Sequence, residues 1–174
     1  MSISVGVIIS GIAASLVWNA SKQMAEVSAR GELYDMGSAA LETMFRYLRE
    51  IPQDECPVNP TPCLLGNAQI STATATELRF GNTGFRFNTG ANAVEMTADN
   101  GTNWYALATD VGGFAFAYYD RSANSLTSFP LSQNDREDVR RISVDLQMTR
   151  AGQTAQLRSA IFLRSFMDEV NSDP

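Results

Sequence analysis

The chain has 174 residues, 13 basic and 19 acidic, with a net charge of −6, two cysteines and no histidine. Basic residues scattered along an acidic chain form no stripe to neutralise phosphates, which argues against nucleic acid as a partner. The lack of histidine removes Ser-His-Asp and Cys-His catalysis and the commonest metal ligand, and so lowers the expectation of an enzyme.

Residues 1–21 carry no charge. Ile3, Val5, Val7, Ile8, Ile9, Ile12, Leu16 and Val17 make this run apolar, with the small residues Gly6, Gly11, Ala14 and Ser15 between them. As a helix the run reaches roughly 30 Å, about one hydrocarbon thickness. Trp18 precedes Asn19 and Lys22, where an interfacial aromatic would sit. The small residues permit close approach of a second helix. A cleaved signal peptide would need a basic start, and no Lys or Arg precedes the run. Residues 1–21 are therefore expected to be the half of a helix that crosses a membrane or meets other subunits.

The helical pattern continues beyond residue 21. Met24, Val27, Tyr34, Leu41, Met44, Phe45, Leu48 and Ile51 recur at three- and four-residue steps. Glu26/Arg30, Glu42/Arg46 and Arg46/Glu50 are i,i+4 pairs on the wetter side. Gly31 and Gly37 weaken the middle modestly, and Pro52 ends the element. Residues 22–51 thus read as the amphipathic half of the same helix. Leu41, Met44, Phe45, Leu48 and Ile51 are expected to pack on a sheet.

Residues 52–75 read as a proline-rich loop. Three prolines separate Cys56 from Cys63 and exclude a helix there. A disulfide closing so short a loop contributes about 2–3 kcal/mol by limiting the unfolded ensemble, and implies an oxidising compartment. Two unpaired thiols are the plain alternative, and two ligands alone do not make a zinc site.

Across residues 76–167 the period becomes alternating. Leu78 and Phe80 with Phe85 and Phe87 flank Gly81-Asn-Thr-Gly84 as a hairpin. Ala93-Val-Glu-Met96 and Trp104-Tyr-Ala-Leu107 flank Asp99-Asn-Gly101, where Asn-Gly signals a type I′ turn. Phe114, Phe116 and Tyr118 alternate along the next strand. The stretch from Leu126 to Leu131 is expected to return beside it, as an edge because of Pro130. Ile142, Val144, Leu146 and Met148 alternate strictly, turn through Ala151-Gly152, and return through Leu157, Ile161 and Leu163. Residues 168–174 form a polar tail. The class is α+β: a long N-terminal helix packed on an antiparallel β-sheet domain. The sheet covers only the second half of the helix, so the first half must meet lipid or other subunits.

The candidate chemistry is sparse. Asp99-Asn-Gly101 with Asp110 suggests a calcium loop but lacks EF-hand spacing, and a hairpin turn explains it better. Asn134-Asp-Arg-Glu-Asp138 reads as a solvated loop, and the aromatic strands as core. Asn100-Gly-Thr102 matches a glycosylation sequon, for which the turn is a sufficient explanation. No phosphate loop, nucleotide fingerprint or nucleophile elbow occurs, and no cofactor or metal is expected.

The charge-free helix start, amphipathic continuation and antiparallel strands resemble the type IV pilin and pseudopilin superfamily, within it the PilW/GspJ-type minor subunits. The local likeness covers residues 107–166. It runs through Ala108-Thr-Asp-Val-Gly-Gly-Phe-Ala-Phe-Ala-Tyr-Tyr-Asp120, Val139-Arg-Arg-Ile-Ser-Val-Asp-Leu-Gln-Met148 and Ala160-Ile-Phe-Leu-Arg-Ser165, with Ser165 where the family has Asn. The family's basic leader, Gly-Phe-Thr-Leu-type cleavage site and Glu at the fifth mature position have no counterpart here. Met1 is accordingly expected to align about seven residues inside a mature pilin helix, beyond such a processing segment.

The resemblance implies a non-catalytic subunit that initiates or caps a type II secretion pseudopilus or a type IV pilus. Its implied partners are other minor and major pilins or pseudopilins, the inner membrane, the assembly platform, a prepilin peptidase and secreted cargo. The implied location is the bacterial inner membrane, single-pass with a periplasmic domain, and then the filament tip. Two other classes compete: a signal-anchored periplasmic binding domain, and a secreted carboxylate hydrolase using Asp110, Asp120 or Asp145.

Overall fold

The computed structural model describes residues 2–52 and 68–163, with the helical backbone alone for residues 2–15. Helix α1 spans Ser2–Leu48, 47 residues or about 70 Å. It ends four residues before Pro52. Arg49, Glu50 and Ile51 form a closing turn in which Ile51 N–H donates to the Leu48 carbonyl at 3.4 Å and the Ile51 side chain folds back into the core.

The strands form two antiparallel sheets where the periodicity led us to expect one. The first contains β1 (Thr72–Ala73), β2 (Glu77–Phe80), β3 (Thr83–Asn88), β4 (Ala93–Thr97) and β5 (Tyr105–Ala108), in that order. The second has the order β7-β6-β8-β9, from β6 (Val111–Tyr119), β7 (Ser125–Leu126), β8 (Arg141–Arg150) and β9 (Gln153–Phe162). Alternation in sequence sets which face of a strand is buried, not which strand lies beside it. The split falls at residues 109–110, where Asp110 takes a positive φ of 58° and redirects the chain out of β5. Backbone bonds stitch the sheets together. Phe116 N–H donates to the Ala75 carbonyl at 2.7 Å, and Val111 N–H to that of Asn92 at 2.9 Å. The buried Tyr118 hydroxyl donates to the Thr74 carbonyl at 2.9 Å.

Turn chemistry accounts for the hairpins. Gly81 (φ 51°) opens the two-residue β2–β3 connection, and Ala151 and Gly152 (φ 49° and 79°) make the β8–β9 turn. Asn100 and Gly101 both have positive φ, as the Asn-Gly signal requires, but they sit in a seven-residue connection from β4 to β5. Trp104 lies in that connection rather than in the strand, with the Arg86 guanidinium 4.1 Å over its ring.

Three further expectations are corrected. Strand β1 lies within residues 52–75, a stretch read as loop, because Thr72 and Ala73 pair with Arg79 and Leu78. Of the stretch from Leu126 to Leu131, only Leu126 is in a strand (Ser125–Leu126), since Pro130 has no N–H for a ladder. Residues 134–138 are not an irregular loop. Gln133–Glu137 forms the short helix α2, capped by the Ser132 hydroxyl, which accepts from Asp135 N–H at 3.2 Å. Arg136 on α2 donates to the carbonyls of Ile70 and Leu131, both at 2.9 Å.

The second half of α1 packs on β8 and β9 through Leu33, Gly37, Ala40, Leu41, Met44 and Leu48, all buried. Leu33, Met44 and Leu48 are fully buried, each contributing roughly 1.5–3 kcal/mol. Ile142, Val144, Leu146 and Met148 of β8 meet them with no exposed surface. Arg150 ties the upper part of this joint, reaching Glu32 of α1 at 3.1 Å and Asp110 at 2.7 Å.

Candidate functional site

The most distinctive surface is the part of α1 that the sheets do not cover. Leu16, Val17, Trp18, Met24 and Val27 are 64–76% exposed, a density of large apolar side chains unusual on a solvated helix. Helical geometry gives this exposure a direction. At about 100° per residue, Leu16, Val17, Ala20, Met24, Val27, Gly31 and Tyr34 share one face. Leu33, Gly37, Ala40, Met44 and Leu48 share another, about a third of a turn away. On the exposed half, that second face carries Lys22 and Glu26, an i,i+4 pair at 4.0 Å.

The periodicity of Met24, Val27 and Tyr34 therefore marks an apolar stripe, but one turned away from the sheet. Tyr34 is 39% exposed, with the Arg30 guanidinium 5.9 Å from its ring centre. The sheet-facing stripe begins at Leu33, one residue earlier. Small residues at Gly37 and Ala40 hide it from a pattern search that weights large side chains. Of the residues expected to pack on the sheet, Leu41, Met44, Leu48 and Ile51 are buried, and Phe45 is half-buried against the core.

Among the described residues, no helix is long and apolar enough to cross a membrane. The side chains of Ile3, Val5, Val7, Ile8, Ile9 and Ile12 lie outside the described residues, as do Cys56 and Cys63 with their expected disulfide.

The candidate acids do not converge. Asp110 and Asp120 flank the two ends of β6, about 30 Å apart along the strand. Asp110 is held by Arg150. Asp120 accepts from the Asn124 side chain and backbone, which hold its carboxyl below the usual range. Asp145 of β8 pairs with Arg158 and accepts from Gln156, and its pKa is lowered, chiefly by the Arg158 hydrogen bond.

The Asp99 carboxylate is engaged by three protein donors. It accepts from Asn103 N–H at 2.9 Å, the Thr97 hydroxyl at 2.7 Å and Asn103 Nδ2 at 2.6 Å, which together pull its pKa down to about 2. Its oxygens are engaged in building the turn, and Asp110 stands elsewhere in the fold. Among the described residues no group of three potential ligands could hold a metal ion.

Fold and surface together define an α+β domain carried on one end of a long helix whose other half presents an uncovered apolar stripe. No family model matches the chain, and no curated protein matches it.

Proposed function

We propose that the chain is a pilin-like structural subunit, assembled through its N-terminal helix in the manner of a minor pilin or pseudopilin. One observation carries the reading: Leu16, Met24 and Val27 form an apolar stripe on a face of α1 that cannot reach its own sheet. Burying such a stripe is worth roughly 25 cal/mol per Å²; the described residues leave it uncovered, and in this reading lipid or another molecule supplies the cover. An uncharged helical start favours both in turn, lipid before assembly and sister helices after it. In this reading the sheet domain lies outside the inner membrane, and the partners are other minor or major subunits with their assembly machinery. The acids of the strands, each already engaged, do structural work.

A photo-crosslinking residue placed at Met24 or Val27 and activated in pilus-bearing cells tests this. The expected result is adducts with helices of other subunits, and far fewer from the same probe at Lys22. A monomer with no adducts from any position would sink the proposal and favour a signal-anchored binding domain.

A further inference from the structure

The sheet edges are unequal. β1 and β7 have two residues each and β5 has four, whereas β9, the remaining edge, has ten. All ten residues of β9 pair one-to-one with β8, without a bulge. The tight turn makes Arg150 and Gln153 a hydrogen-bonded pair. At the far end Leu163 N–H donates to the Arg140 carbonyl at 3.1 Å, in the same phase. Thr154, Gln156, Arg158, Ala160 and Phe162 consequently turn their N–H and C=O groups away from β8. Among the described residues these groups have no backbone partner.

Natural edges of this length are guarded by Pro, Lys, bulges or inward charges. β9 has none of these, and its single charge, Arg158, is engaged by Asp145. Beside the edge lies a groove of about 610 Å³ between α1 and β9, with Leu41 and Phe45 toward its floor and Ser159 on its strand side. Arg46 and Arg49 line it against one carboxylate, Glu42, and neither arginine forms an ion pair with a described residue. By helical geometry this groove continues the face that carries Leu16, Met24 and Val27.

We propose that the β9 edge and this groove are a docking site for an extended acidic segment of another protein, added as a fifth strand of the second sheet. Main-chain bonds to β9 supply affinity, and alternate side chains of the guest enter the groove. Apolar residues there meet Leu41 and Phe45, and carboxylates meet Arg46 and Arg49. Charge selects an acidic occupant over a basic one. Isologous pairing of two β9 edges would turn the same cationic helix face toward itself, which disfavours a second copy. The inference does not depend on the pilin-like reading.

The test is an amide-shift titration of the ¹⁵N-labelled full chain in detergent micelles. The probe is a ten-residue peptide alternating Val and Glu, compared with one alternating Val and Lys. Binding of the acidic peptide should shift the amides of Thr154, Gln156, Arg158, Ala160 and Phe162. It should weaken by about tenfold when Arg46→Glu and Arg49→Glu are combined. Ala160→Pro removes an N–H that β8 does not use, so it should abolish binding while the circular dichroism stays unchanged. Absence of those shifts, or equal binding of the Lys peptide, overturns the proposal. So does concentration-dependent broadening of the same amides without peptide, which would mean a second copy. Binding that emerges only after deletion of residues 168–174 also overturns it, since the chain's own tail would then be the occupant.

Discussion

Gly37 of α1 faces Leu157 of β9 so closely that a Cβ added to Gly37 would stand 2.9 Å from Leu157 Cδ1 and 3.4 Å from Met148 Cγ. Six residues earlier, Gly31 has nothing within 4 Å of the same position. The two glycines share a helix and a low helix propensity, but only one of them sets a helix–sheet distance. Gly31→Ala should raise stability by about 0.5–1 kcal/mol through propensity alone. Gly37→Ala should gain less, because the Leu157 methyl must give way. Gly37→Leu should cost about 1–3 kcal/mol by forcing α1 off β9. Urea unfolding of the three variants would check the order, and an equal gain from both alanines would refute the close contact.

Tyr118 joins the sheets through a hydroxyl inside the core. Removing it in Tyr118→Phe leaves the Thr74 carbonyl with a lost donor and should cost about 1–2 kcal/mol. Burial, with a smaller contribution from Glu77, pushes the phenol well above the ordinary tyrosine range. The folded state thus favours the neutral form. Its stabilising effect is complete below the unfolded pKa and is lost as pH rises above it. Tyr118→Phe should flatten the alkaline limb of the stability profile, measured as the urea midpoint between neutral and strongly alkaline pH.

Asp99 works at the opposite end of the pH scale. With a folded pKa of about 2, below the unfolded value, its contribution is present above about pH 4 and fades as pH falls toward 2. Asp99→Ala should speed amide hydrogen exchange at Asn103 at neutral pH, and the same amide should lose protection in the parent chain on acidification. Unchanged exchange in the variant would show that the turn holds without its carboxylate.

The Glu32–Arg150 pair should be a modest tie, since both side chains are substantially exposed. A double-mutant cycle with Glu32→Gln and Arg150→Gln should return a coupling of about 0.2–1 kcal/mol, shrinking at high salt. The single Arg150 change should cost more than the single Glu32 change, because it also frees Asp110.

Much of the local structure was legible in the chain. Ile142, Val144, Leu146 and Met148 alternate, and the strand they predict is present with all four buried. Ala151-Gly152 marks its turn correctly. The helix was readable from its period, and so was the end of its buried face at Leu41, Met44, Leu48 and Ile51, but the start of that face was not. Leu33, Gly37 and Ala40 seat α1 on the sheet, and two of them are too small to register as hydrophobic signals. Met24, Val27 and Tyr34 look like core by spacing and stand outside it.

The sequence by itself determined period, turns and class, because backbone propensity and side-chain alternation act over a few neighbouring residues. Only the tertiary structure decided that the strands split into two sheets and that β9, among the described residues, is a long edge strand. It also decided that the apolar face of the exposed half-helix points away from the domain. Those outcomes depend on which surfaces meet across long stretches of chain, a competition that no local pattern encodes.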